Sequence, residues 1–111
     1  MRELAQRQGL RLIDQTKLVT AVSELARNTV VHGGGGTMRL GAAENGARSG
    51  VWAEFEDRGP GIADQDQAMR EGFSTGGGLG LGLGGARRLV SEFELRSTPG
   101  QGTRVRVVTW R

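Results

Sequence analysis

A small set of residues has types and spacing suited to handling a charged phosphate compound. Glu24 and Asn28 lie four residues apart in a helical stretch, so both fall on one helix face. A carboxylate there can act as general base on a hydroxyl or water. An amide oxygen suits Mg²⁺, which takes hard oxygen ligands and keeps several waters when phosphates share it. The pair is also an ordinary solvated feature of many helices. Asp57 closes an apolar strand and opens the turn Asp57-Arg58-Gly59-Pro60-Gly61. Most such aspartates only form the turn. An ionised one, being acceptor-only, also suits an exocyclic amine such as adenine N6. Gly59 and Gly61 would then let the backbone pass beside a base. Thr103, after Gly102, could offer a hydroxyl to the same edge, or serve as a β-branched strand residue.

The segment Gly72 to Ala86 holds eight glycines in fifteen residues. Glycine loses more chain entropy on folding than any other residue and adds nothing to a core. Such a loop makes sense where exposed N–H groups must wrap an anion. Leu79, Leu83, Ala86, Leu89, Val90 and Phe93 then recur at helical spacing, so the glycines lead into a helix start. A flexible linker would contain neither these leucines nor the helix. The segment has no GK[ST] and no surrounding βαβ unit, which excludes a Walker A loop and a dinucleotide fingerprint.

The elements that must position these residues follow from periodicity. Arg2 to Gln8 reads as a helix ended by Gly9. A long helix is predicted from Gln15 to Val31, capped by Asp14, with Leu18, Val22, Leu25 and Ala26 on one face. His32 is expected to be a helix-end residue with no catalytic role. Strands are predicted over 37–43, 50–56, 93–97 and 103–110, with Asn45-Gly46 as a hairpin signal. A short helix is expected over 63–71 and another over 80–91. The order α-α-β-β-(α)-α-β-β gives an α+β fold. It is a two-layer α/β sandwich with a mixed, mostly antiparallel sheet and the helices on one face.

Length and composition set bounds. The chain has 111 residues, enough for a single domain over 1–111. It has no cysteine, which removes disulfides and thiolate metal sites. It has no signal-peptide core and nothing near the ~18 apolar residues of a membrane span, so a cytoplasmic protein without membrane contact is expected. The net charge is +3, but basic residues are scattered and often sit beside acids. The most basic part, Arg104, Arg106 and Arg111, suits a solvated sheet face or an acidic protein partner better than nucleic acid. Aromatic residues are too few for base stacking.

Taken together, the four boxes resemble the Bergerat-fold, or GHKL, ATP-binding family. Glu24-Leu25-Ala26-Arg27-Asn28 matches its E-x-x-x-N box, and Asp57-Arg58-Gly59-Pro60-Gly61 matches D-x-G-x-G. Gly78-Leu79-Gly80-Leu81-Gly82-Leu83 matches the glycine box, and Gly102-Thr103 the closing G-T pair. SELARN, EDRGPGI, GFST before GGLGLGL, and GQGT near a terminal Trp-Arg resemble the small serine/threonine-protein kinases of bacterial stressosomes, over nearly the whole chain.

That resemblance implies ATP and Mg²⁺ as cofactors, with Asn28 on the metal and Glu24 as base for the acceptor hydroxyl. It implies Asp57, Gly59, Gly61 and Thr103 at the adenine. The backbone of Gly78, Leu79, Gly80, Leu81 and Gly82 would hold the phosphates. Ser74 and Thr75 could join them or simply face water. The implied partners are STAS-domain substrate and scaffold proteins and a PP2C-type phosphatase, with a homodimer left open. An anti-sigma-factor kinase and a non-enzymatic nucleotide-dependent binding module are the alternatives. The resemblance also implies an edge strand before Met1. The expected lid from Ile62 to Gly77 carries Arg70 as its one cation.

Overall fold

The long helix is the beam on which the sheet is packed. In the computed structural model, which describes residues 1–61 and 82–111, it runs over Leu12–Val31 (α2) and follows a short helix, Arg2–Arg7 (α1). Leu18, Ala21, Val22 and Leu25 recur at helical spacing and are buried as one stripe. Gly9, at φ 82°, makes the left-handed turn between the helices. Gln15 is buried there and donates from Nε2 to the Leu10 carbonyl at 2.9 Å. The start of α2 corrects the expected cap. The N-cap is Arg11, without a side-chain bond, and Asp14 lies inside the first turn with Arg11 Nε 3.4 Å from its carboxylate. An acid in the first turn still favours the positive end of the helix dipole, so Asp14 helps the helix start without capping it. His32 is the C-cap, and its N–H donates to the Asn28 carbonyl at 2.9 Å.

Four strands follow the helical pair: Gly36–Asn45 (β1), Arg48–Asp57 (β2), Glu92–Thr98 (β3) and Gly102–Trp110 (β4). Between β2 and β3 lies Gly82–Arg88 (α3). The sheet order is β1-β2-β4-β3, and every described pairing is antiparallel. The β1–β2 hairpin turns at Gly46-Ala47, where Gly46 has φ 61°. A left-handed first turn residue matches the twist of the flanking strands.

Alternation fixes the sheet's two faces. Val51, Ala53 and Phe55 of β2, with Val105 and Val107 of β4, form one core with Leu18, Leu25, Leu83 and Ala86. The helices therefore lie against this inner face. No described helix is long and apolar enough to cross a membrane.

The opposite face carries a feature that alternation alone does not reveal. Glu54 belongs to the outer face, yet only 7% of it is exposed. It is covered by arginines from both neighbouring strands. Arg39 Nη2 lies 2.6 Å from Oε1, and Arg104 Nη2 lies 2.8 Å from Oε2. The Arg104 hydrogen bond, with help from Arg39, holds the Glu54 carboxyl below its ordinary value of 4.5, against the opposing effect of desolvation. A carboxyl whose pKa is lower in the fold than in the unfolded chain stabilises the fold above the ordinary carboxylate range. That contribution is lost as the pH falls below it. Glu54→Gln should thus unfold at lower urea than the parent at neutral pH. The gap between the two midpoints should close as the pH drops below 4.5. Urea titrations of both proteins across that range measure the gap.

Candidate functional site

The site gathers where α2 ends and β2 leaves the core. Asp57 is the last residue of β2 and pairs in register with Thr103 on β4 and Gly36 on β1. Asp57 Oδ1 accepts the Gly59 N–H at 2.9 Å, closing an Asx turn. The turn role and a ligand role are compatible, because an ionised carboxylate has a second oxygen. Asp57 and Gly59 are both half-buried.

Gly33, two residues past the end of α2, packs directly on that carboxyl. A Cβ there would lie 2.3 Å from Asp57 Cγ and 2.5 Å from Oδ2. The Gly33 N–H in turn donates to the Asn28 carbonyl at 3.4 Å. The E-x-x-x-N helix is thus joined to the D-x-G-x-G turn through one residue without a side chain. Gly59 sits against the other side of Gly33, where its own Cβ would come within 2.7 Å of Gly33 Cα. Gly61, at φ 75°, lies against the Thr98 carbonyl, and the Gly100 N–H donates to Pro60 O at 2.7 Å. The turn after β2 is therefore tied to the β3–β4 turn.

A row of polar side chains crosses the sheet at this end. Asp57, Thr103 and Ser97 are register partners on β2, β4 and β3, on the inner, helix-facing side. Ser97 Oγ donates to Gly102 O at 3.1 Å, and the Ser97 and Thr103 hydroxyls share a hydrogen bond at 2.9 Å. Thr103 is thereby held in place with oxygen lone pairs to offer. Gly102, at φ 120°, brings its backbone so close to the Asp57 carbonyl that a Cβ would lie 2.1 Å away.

Glu24 is buried, at 5% exposure, and Asn28 is half-buried one turn later on the same flank of α2. Beside α2 packs α3, which begins at Gly82 and buries Leu83 and Ala86. Ser74, Thr75, Gly78, Leu79, Gly80 and Leu81, with Arg70 and the short helix expected over 63–71, lie outside the described residues. Among the described residues no three His, Cys, Asp or Glu side chains gather as a metal site.

Two site residues were missed in the sequence. Gly33 reads there as a helix terminator at the head of four glycines, although a glycine run directly after an acid–amide helix is a signal of close approach. Ser97 is found only by carrying the Gly102-Thr103 hairpin back across its turn. Gly33→Ala should displace the Asp57 carboxyl or the end of α2, and cost about 1–3 kcal/mol of stability, as overpacking does. Gly34→Ala is no substitute for a control, since Gly34 is left-handed at φ 74°. His32→Ala, just outside the contact, is the suitable one. Urea denaturation of the two variants measures the difference.

Residues 13–111 match the family described as histidine kinase-, DNA gyrase B-, and HSP90-like ATPase. The chain is 41% identical over 109 residues to the serine/threonine-protein kinase RsbT of Bacillus subtilis (strain 168), covering 98% of this chain and 82% of that one. It is 34% identical over 97 residues to the anti-sigma F factor of Thermoanaerobacter sp. (strain X514), and 33% identical over 99 residues to that of Caldanaerobacter subterraneus subsp. tengcongensis. In both cases 82% of this chain and 66% of the relative are covered. Antiparallel sheet, E-x-x-x-N helix and joined aspartate turn agree with these matches, and the chain belongs to the histidine kinase-, DNA gyrase B- and HSP90-like ATPase family, in the branch of the serine/threonine-protein kinase RsbT.

Proposed function

We propose that this chain is an ATP- and Mg²⁺-dependent serine/threonine-protein kinase of a stress-signalling partner switch. Its substrates would be STAS-domain scaffold or antagonist proteins, and it would activate a PP2C-type phosphatase by binding it. The observation that carries the reading is the contact of Gly33 with Asp57, which sets the Asn28 helix end beside the acid of the D-x-G-x-G turn. The residues fit a nucleotide. Asp57 is acceptor-only when ionised, Thr103 offers lone pairs beside it, and glycines replace side chains around both. Bound ATP would supply the phosphoryl group, and Mg²⁺ would neutralise the charge of its phosphates.

The chain's own residues would then divide the work. Asp57, fixed through Oδ1 by the Gly59 N–H, would accept from the adenine amine. Thr103 would take part at the same edge, held by Ser97. Asn28 would hold Mg²⁺ through its amide oxygen, with phosphates and water completing the shell. The backbone of Gly78, Leu79, Gly80, Leu81 and Gly82 would hold the phosphates, with Ser74 and Thr75 near them. Glu24 would take the proton of the incoming serine or threonine hydroxyl.

The 33–34% identity to anti-sigma F factors favours a second reading, a kinase whose main partner is a sigma factor. Pull-downs of the purified chain with a sigma factor and with a PP2C-type phosphatase separate the two.

Asp57→Asn tests the adenine assignment. A hydrogen bond to a charged acceptor contributes about 1.5–3 kcal/mol against roughly 1 for a neutral one, so ATP should bind more weakly. Asp57→Ala should weaken it further. Isothermal titration on folded variants decides, and unchanged affinity in Asp57→Ala removes the assignment.

Glu24 and Asn28 share a flank of α2 but should fail differently. Glu24→Gln, close in shape, should keep ATP binding and lose about 10²–10⁴-fold in phosphate transfer to a STAS-domain substrate. Asn28→Ala should lose the Mg²⁺ dependence of nucleotide binding, and transfer with it. Parallel titrations with ATP and Mg²⁺ and a radiolabel transfer assay read both. Wild-type transfer by Glu24→Gln would show that Glu24 is not the base.

A further inference from the structure

The outer face of the sheet carries a second site that the nucleotide chemistry does not use. Its centre is Glu54, with Arg39 on one side and Arg104 on the other. Arg106 Nε lies 4.0 Å from the same carboxylate, and its guanidinium stands 5.8 Å from the Trp52 ring centroid. Arg96, one strand further, pairs with Glu94 at 2.7 Å. These side chains line an open groove of about 470 Å³. We propose that this groove, where Arg39, Arg96, Arg104 and Arg106 surround Glu54 beside Trp52, docks an extended acidic segment of a protein partner.

Three observations carry it. The first is charge. Four guanidinium groups line the groove against two carboxylates, Glu54 and Glu94, an excess of two positive charges. Over the whole outer face five arginines, with Arg48, oppose four glutamates, with Glu56 and Glu92. The excess is concentrated in the groove. The second is preorganisation. Arg39 and Arg104 each use one Nη2 on Glu54 and keep their remaining donors, with their side chains 67% and 50% exposed. Glu54 therefore holds a fan of guanidinium groups in place before any ligand arrives, which lowers the entropy cost of binding carboxylates. The third is Trp52. Gly41, opposite it on β1, lacks the Cβ that would come 2.9 Å from the ring, so the indole lies along the sheet as an apolar wall of the groove. Tryptophan beside arginine is the composition of protein-binding centres.

The geometry selects an extended segment. Arg104 and Arg106 are two residues apart on one strand, and so lie on one face at a spacing of about 6.8 Å. Acidic residues at alternate positions of an extended peptide repeat at the same spacing. Nucleic acid would need more stacking surface than one indole offers.

The test uses the full chain and a fluorescein-labelled hexaglutamate peptide, read by anisotropy at low and moderate salt. The variant Arg96→Ala/Arg106→Ala keeps both close partners of Glu54, so the sheet stays paired. It should bind the peptide at least about tenfold more weakly. The matched pair Arg7→Ala/Lys17→Ala removes equal charge from the helical layer and should stay within about twofold of the parent. Equal loss in both pairs would mean that the peptide reads only net charge, and would overturn the proposal. So would tighter binding of an oligothymidylate of equal length. A parent that sediments as a dimer while the arginine variant is a monomer would assign the face to a second copy instead, and would also overturn it.

Discussion

The site depends on one close approach, the Gly33 backbone lying on the Asp57 carboxyl. A helix and a strand from different layers meet there without a side chain between them. Any Cβ at position 33 would occupy the volume of the carboxyl group itself. The other features of this end follow from that contact. Gly59 must be bare because it sits against Gly33, and Gly102 must be bare because its backbone lies on the Asp57 carbonyl. The glycines around the aspartate are packing requirements of a junction, which is why they come from three separate stretches of the chain.

The same junction explains why a carboxylate can stand at the end of an apolar strand. β2 turns Val51, Ala53 and Phe55 into the core at alternate positions, and Asp57 is the next inward position. A charge on that face costs little only where the core ends and polar partners begin. The Gly59 N–H supplies one partner, and the Ser97–Thr103 hydroxyl pair continues the polar row across β4 and β3. The inner face thus changes from hydrocarbon to hydrogen-bonding groups within one residue step, at the edge where α2 stops covering it.

Much of this was legible in the sequence, because it rests on local periodicity. The strands over 50–56 and 103–110, the long helix to Val31 and the hairpin at Gly46 each follow from alternation, helical spacing or turn chemistry. The E-x-x-x-N, D-x-G-x-G and G-T boxes fall on or beside those elements, while most of the glycine box lies outside the described residues. Asp14 suits a cap by residue type, but Leu12 and Ile13 extend the helix backward past it. Alternation along 50–56 sets Glu54 outward with Trp52 and Glu56 and says nothing of its burial. Its burial arises from arginines fifteen and fifty positions away in the chain, and no local pattern carries that information. Gly33 and Ser97 were missed for the same reason, since each matters only through a residue on another element.

The two faces of the sheet are bound to each other by register. Asp57, Thr103 and Ser97 point inward, while Glu54, Arg104, Arg106 and Arg96 point outward, and they alternate along the same three strands. A slip of one residue between β2 and β4 would either set Arg104 and Arg106 against the core or turn Asp57 to the outside. The apolar core prevents that slip, because Phe55, Val105 and Val107 cannot leave it without exposing hydrocarbon. The Glu54 ion pairs prevent it again from the other side, since Arg39 and Arg104 meet one carboxylate only in the observed register. Paired charges on an exposed face add little stability one by one. Joined across three strands, they serve to hold the sheet in the single alignment that places an aspartate beside Gly33.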